Sequence, residues 1–185
     1  MVALPNTGLL IKQLPEEIFS DIKHQVSLSN LQPMISGMSA IGVPNHYYLT
    51  DSKPLKDYVT IVFSEFFKEY NYALDYKIRS DGVDPNAQLI ALEPWINYQK
   101  KNEWIPAHDH SGIMSYSLWV NIPEDNVFEI IYSTISGETI KHPIPVTRQS
   151  EGTIIFFPSK LIHTVHPFYN SEETRISISG NIILK

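Results

Sequence analysis

The sequence predicts a mainly β domain, an antiparallel sandwich or barrel with N-terminal helices packed on one outer face. Three observations lead there. From about Gln88 onward the chain runs in short β-branched and aromatic stretches broken by Pro, Gly and Asn, the texture of many short strands. Ahead of that point, apolar residues recur twice at helical spacing. The chain has 185 residues, of which 43% are hydrophobic and 18% charged, enough for one domain with one substantial core.

Taken in order, Met1-Val2-Ala3-Leu4-Pro5-Asn6 shows neither a basic start nor a long apolar run, so no signal peptide is expected and the expected location is cytoplasmic. Pro15-Glu16-Glu17 opens a helix: proline suits the first turn, and two acids face the positive end of the helix dipole. Ile18, Phe19, Ile22 and Val26 then supply its apolar face. A second helix is predicted from about Lys53 to Tyr72, with Leu55, Val59, Val62, Phe63, Phe66, Phe67 and Tyr70 in one core-facing stripe. Strands are predicted over Gln88–Tyr98, Ile113–Ile122, Val127–Tyr132, Glu138–Val146, Thr153–Phe157, His163–Pro167 and Thr174–Leu184. Arg175-Ile176-Ser177-Ile178-Ser179 alternates strictly, as a strand with one polar face does. Nothing between Tyr72 and Gln88 is long enough for a linker. The expectation is a single domain over 1–185, with a helical front and first strands in 1–87 and the β core in 88–185. No run approaches the roughly 18 apolar residues of a membrane-spanning helix.

Composition narrows the chemistry. Lys+Arg is 14 against Asp+Glu 20, a net charge of -6, which argues against a nucleic-acid partner. With no cysteine there is no disulfide scaffold, Cys-ligated zinc, iron–sulfur cluster or thiol nucleophile, so any metal must be held by histidine and carboxylate. Of the seven histidines, four form two tight groups: His108-Asp109-His110, and His163 with His166. Alternate residues of a strand share a face, so His108 and His110 can converge on one ion while His163 approaches from another strand. Two imidazoles plus a third ligand with open positions suit non-haem Fe(II). If His163–Pro167 is a strand, His163 and His166 face opposite sides and only one serves. His24, His46 and His142 are expected at the surface.

The segment Gly152-Thr153-Ile154-Ile155-Phe156-Phe157-Pro158-Ser159 leads into His163-Thr164-Val165-His166-Pro167 and then Arg175-Ile176-Ser177. Over Trp95 to the C-terminus the sequence resembles the 2-oxoglutarate/Fe(II)-dependent oxygenases, closest to their prolyl-hydroxylase-like branch and small phage-encoded members. The string FFPSKLIHTVHP…RISIS is its most specific part. The resemblance implies a double-stranded β-helix (jelly roll) with His163 as the distal metal ligand. It makes Arg175 the residue that binds the distal carboxylate of 2-oxoglutarate, with Ser177 as its helper. Fe(II), 2-oxoglutarate and O2 are the implied cofactor and cosubstrates. Oxidative decarboxylation to succinate and CO2 would drive hydroxylation of a C–H bond, in a protein or peptide (a prolyl residue by analogy) or a small molecule. A phage origin would put the protein in the host cytoplasm. Arg175 also has a physical warrant, since a guanidinium fork matches a carboxylate in bidentate fashion.

The proximal motif departs from the family, whose members mostly carry His-x-Asp or His-x-Glu. Three readings stay open here. His108, His110 and His163 form a three-histidine site, the favoured one, with Asp109 orienting an imidazole from outside; Asp109 turns inward; or the site has lost its metal. Tyr98, ten residues before His108, is expected near 2-oxoglutarate. Ser115, Ser117 and Trp119 share a parity and are candidates for the same cavity. Two other functions compete: a cupin-like three-histidine dioxygenase or isomerase, and a non-catalytic jelly-roll binding module. Substrate specificity is expected in loops such as Asp81–Asn86 and Thr134–Gly137. The oligomeric state is open.

Overall fold

The computed structural model describes residues 9–28, 45–69, 88–134 and 136–185. Among them the elements run β1 (Leu10–Gln13), α1 (Glu16–Val26), β2 (Asn45–Tyr48), α2 (Lys53–Glu69), β3 (Leu89–Ala91), β4 (Trp95–Gln99), β5 (Ile105–His108), β6 (Met114–Asn121), β7 (Asn126–Ser133), β8 (Thr139–Val146), β9 (Thr153–Pro158), β10 (Ile162–Val165) and β11 (Arg175–Leu184). The strands make two antiparallel sheets. The larger has the order β1-β9-β6-β11-β4-β2, with β3 also on β11; the smaller has the order β5-β10-β7-β8. From β4 onward the chain keeps crossing between them: β4 large, β5 small, β6 large, β7 and β8 small, β9 large, β10 small, β11 large. The result is mostly β and jelly-roll-like.

Alternation in the strands of the larger sheet serves two cores. On its outer face Ile96, Tyr116, Leu118, Ile154, Phe156 and Ile178 cluster with Phe19, Ile22 and Val26 of α1 and Leu55, Val59, Phe63 and Phe66 of α2. On its inner face Trp119, Ile155 and Phe157 meet Ile105, Phe128, Ile130, Val146 and Val165 of the smaller sheet. Both faces of the larger sheet are thus covered, and its central strands are buried almost throughout. Gly180 leaves room for the Tyr116 ring, since a Cβ there would run into the Tyr116 hydroxyl.

Several elements differ from the sequence expectation. The stretch Gln88–Tyr98 is two strands, β3 and β4, separated by Leu92-Glu93-Pro94. Pro94 brings no N–H to a ladder, and the Glu93 carboxylate is drawn aside to Ser52 Oγ and Lys56 Nζ beside α2. The four-residue strands β1, β2 and β5 were not expected. Each is too short to show alternation and is held by partners far away in sequence, as in Leu10 opposite Phe156 and His46 opposite Asn97. The predicted end of the second helix at Tyr72, the side chains of Phe67 and Tyr70, and the loop Asp81–Asn86 lie outside the described residues. Of the loop Thr134–Gly137, Thr134, Ser136 and Gly137 fall between β7 and β8, with Gly137 at φ +86°, and Ile135 lies outside the described residues.

Candidate metal and cosubstrate site

The three histidines come together through pairing of β5 with β10. His108, at the end of β5, lies directly opposite His163 on β10, so both imidazoles project toward the larger sheet. His110 lies just beyond the strand, where its backbone N–H donates to the Ser159 carbonyl in the β9–β10 turn at 2.8 Å. The same turn therefore leads into the strand of His163 and holds His110. Ring centroids are 4.9 Å apart for His108–His110, 4.3 Å for His108–His163 and 4.9 Å for His110–His163. One ligand nitrogen from each falls within 4.8 Å of the others.

Tautomers follow from the acceptors. His108 Nδ1 lies 2.7 Å from the Pro106 carbonyl and His163 Nδ1 lies 3.0 Å from the Leu161 carbonyl. A carbonyl only accepts, so each Nδ1 carries a hydrogen, and in the neutral ring Nε2 is then the atom that presents a lone pair. His163 Nε2 is 3.2 Å from His110 Nε2. Burial, reinforced by neighbouring His108, pushes His163 down to about 3 and His110 down to about 4. At neutral pH both rings are uncharged, the form that binds metal. Phe157 and Phe128 flank His163, and Trp95 lies 5.5 Å from His110.

The facing wall is the inner side of β4, β11 and β6. The register sets Arg175 opposite Gln99, Ser177 opposite Asn97 and Trp119, and Ser179 opposite Trp95 and Ser117. Arg175 is 2% exposed, and no carboxylate among the described residues pairs with it. Glu172 goes to Lys101, and Glu173 approaches Arg148. Among the described residues the one side-chain hydrogen bond of Arg175 is from Nη1 to Gln99 Oε1 at 3.4 Å, and its Nε has no partner. Burial pulls the guanidinium down to about 10, so it stays cationic at neutral pH. Trp119, also 2% exposed, has an unpartnered Nε1–H. Buried N–H groups without acceptors are rare, and two on the inner face of one sheet fit an anion with several oxygens.

Some expected residues fall elsewhere. Tyr98 is on the opposite face of β4, where it packs toward the helices and its hydroxyl donates to the Val26 carbonyl at 2.8 Å. It does not share the space in front of Arg175. Asp109 turns outward to Lys160 Nζ at 3.1 Å and touches no histidine Nδ1; backbone carbonyls do that orienting for His108 and His163. His166 points away from the other three, its Nε2 lying 3.7 Å from Glu129. Ser117 is buried on the inner face, and Ser115 is tied to Ser159 and Asn181. His46, expected at the surface, is half-buried on the inner side of β2 opposite Asn97, close enough to His108 for its pKa to be lowered by it, after burial. Asn97 and Gln99 were missed. Their alternation with Ile96 and Tyr98 was the available signal.

Two facing sheets enclosing three convergent imidazoles and a buried unpaired guanidinium define a β-sandwich protein fitted to a divalent metal and a carboxylate ligand. Residues 93–181, just under half the chain, match the family described as "Putative 2OG-Fe(II) oxygenase". The fold is similar to that of a Pseudomonas putida prolyl-4-hydroxylase (14% identity, TM-score 0.57, covering 94% of this chain and 91% of that one). It is similar also to HygX from Streptomyces hygroscopicus, solved with nickel, 2-oxoglutarate and hygromycin B (12%, 0.57, 95% and 82%). A third similar structure is the carbocyclase SnoK of nogalamycin biosynthesis (9%, 0.58, 97% and 80%). A search of curated proteins finds no match.

Proposed function

We propose that this chain is a non-haem Fe(II)- and 2-oxoglutarate-dependent dioxygenase built on a double-stranded β-helix, and that it hydroxylates a C–H bond. The observation that carries this reading is Arg175, a buried cation without an anionic partner among the described residues, set on the sheet that faces three convergent imidazoles. In this reading His108, His110 and His163 hold the metal through Nε2. Arg175 takes the distal carboxylate of 2-oxoglutarate, Trp119 Nε1–H is a further donor in the same space, and Ser177 and Ser117 line the wall. Fe(II), when bound, supplies oxidative decarboxylation of 2-oxoglutarate and activation of O2. The chain's own residues orient the cosubstrate, keep water from it behind Phe128, Phe157 and Trp119, and hold His108 and His163 with Nε2 toward the site.

A buried arginine with no carboxylate has no role in a cupin-like site that uses no cosubstrate. A non-catalytic module needs neither the fixed tautomers nor the convergence. For the primary substrate we propose a prolyl residue in a peptide, supported by the sequence resemblance and by the similar prolyl-4-hydroxylase. The test is aerobic incubation with Fe(II), 2-oxoglutarate and prolyl peptides. Succinate that requires Fe(II), with an added oxygen atom on the peptide, is expected. No succinate from iron-loaded protein under any of these conditions overturns the reading.

A further inference from the structure

Among the described residues Arg175 has a single side-chain partner, and that partner is neutral. Gln99, the last residue of β4, accepts from Arg175 Nη1 and donates through Nε2 to the carbonyls of Glu103 at 2.6 Å and His166 at 3.3 Å. Its orientation is dictated by these partners: a guanidinium offers only donors and a carbonyl only accepts, so Oε1 faces the arginine. The His166 carbonyl also accepts from Asn126 Nδ2 at 2.8 Å. One buried amide thus connects the arginine of the larger sheet, the turn after β4, and the chain three residues beyond His163.

We propose that Gln99 is the positioning residue of the cosubstrate site: it fixes Arg175 through a neutral acceptor and leaves the guanidinium charge free for an incoming carboxylate. This rests on the reading of Arg175 as the 2-oxoglutarate anchor. A carboxylate at position 99 would complete a buried ion pair, and a second anion would then have to compete with it. An apolar side chain would release the guanidinium from that tether and take the Gln99 donor from the Glu103 carbonyl, while the His166 carbonyl would keep Asn126. The amide holds the cation without neutralising it.

The test compares Gln99→Glu and Gln99→Met with wild type. Fe(II)-loaded protein is titrated anaerobically with 2-oxoglutarate while the visible charge-transfer band is followed, and Fe(II) affinity and thermal midpoint are measured separately. Gln99→Glu is expected to weaken 2-oxoglutarate binding about 100-fold and Gln99→Met about 10-fold, with Fe(II) affinity unchanged in both. A purely structural glutamine predicts the two variants to lose iron and 2-oxoglutarate together; that result overturns the proposal, as does wild-type 2-oxoglutarate affinity in Gln99→Glu. If one variant fails to fold, the other decides on the same criteria. A wild-type protein that binds iron and shows no 2-oxoglutarate band overturns the parent reading, and this one with it.

Discussion

Replacing Arg175 by methionine should weaken cosubstrate binding and strengthen the fold. The side chain contributes one long hydrogen bond at 3.4 Å and leaves Nε unpaired, while burial pulls its pKa down to about 10. That shift corresponds to about 3 kcal/mol disfavouring the buried charge. Against it stands about 1 kcal/mol for the hydrogen bond to Gln99. Methionine fills a similar volume without the charge, so the variant should gain about 1–2 kcal/mol, a rise in Tm of about 2–8 °C for a chain of this size. Loss of a buried, charge-assisted carboxylate contact costs about 2–5 kcal/mol, which at about 1.4 kcal/mol per tenfold is at least a 20-fold rise in Kd for 2-oxoglutarate. The assays are differential scanning calorimetry and anaerobic titration of the Fe(II) protein. Fe(II) affinity should not change. A lower Tm with unaltered 2-oxoglutarate binding would make Arg175 a structural residue and refute the reasoning.

Three further outcomes follow from the site. His163→Ala should lower Fe(II) affinity more than about 100-fold, beyond the range that outer residues reach, whereas His166→Ala and Asp109→Asn should leave it unchanged; isothermal titration under nitrogen checks all three. Tyr98→Phe should leave 2-oxoglutarate affinity untouched and cost about 1 kcal/mol of stability, since its hydroxyl serves the Val26 carbonyl on the other face. For metal-free protein, His163 and His110 are neutral in the fold down to about 3 and 4, while in the unfolded chain they take a proton near 6.5. Their effect is therefore full stability above about pH 6.5, lost progressively as pH falls toward the folded values. Urea unfolding of chelator-treated protein from pH 7.5 to 5 should show this decline, and His163→Phe should flatten it.

Much of the site was legible because local periodicity carries it. Arg175 and Ser177 share a parity within one strand, and the pairing of β5 with β10 turns the two histidine groups into one cluster. Tyr98 was misplaced for a reason that applies to the whole larger sheet. With helices on one face and the smaller sheet on the other, neither face of β4 is solvated, so hydrophobic pattern does not say which side is which. Asn97 and Gln99 mark the inner side only once Arg175 is known to lie opposite. His46 depended on β2 pairing with a strand some fifty residues later, which four residues of sequence do not announce. Helix α1 and the start of α2 were plain because a solvated and a buried stripe coexist on each.

The central claim is that three histidines and one unpaired arginine together bind Fe(II) and 2-oxoglutarate. Anaerobic addition of Fe(II) and then 2-oxoglutarate to the metal-free protein tests it most directly. The account predicts a visible metal-to-ligand charge-transfer band that needs both additions, saturates at one equivalent of each, and is lost in His163→Ala. Iron binding without that band, or no iron binding at all, would contradict it.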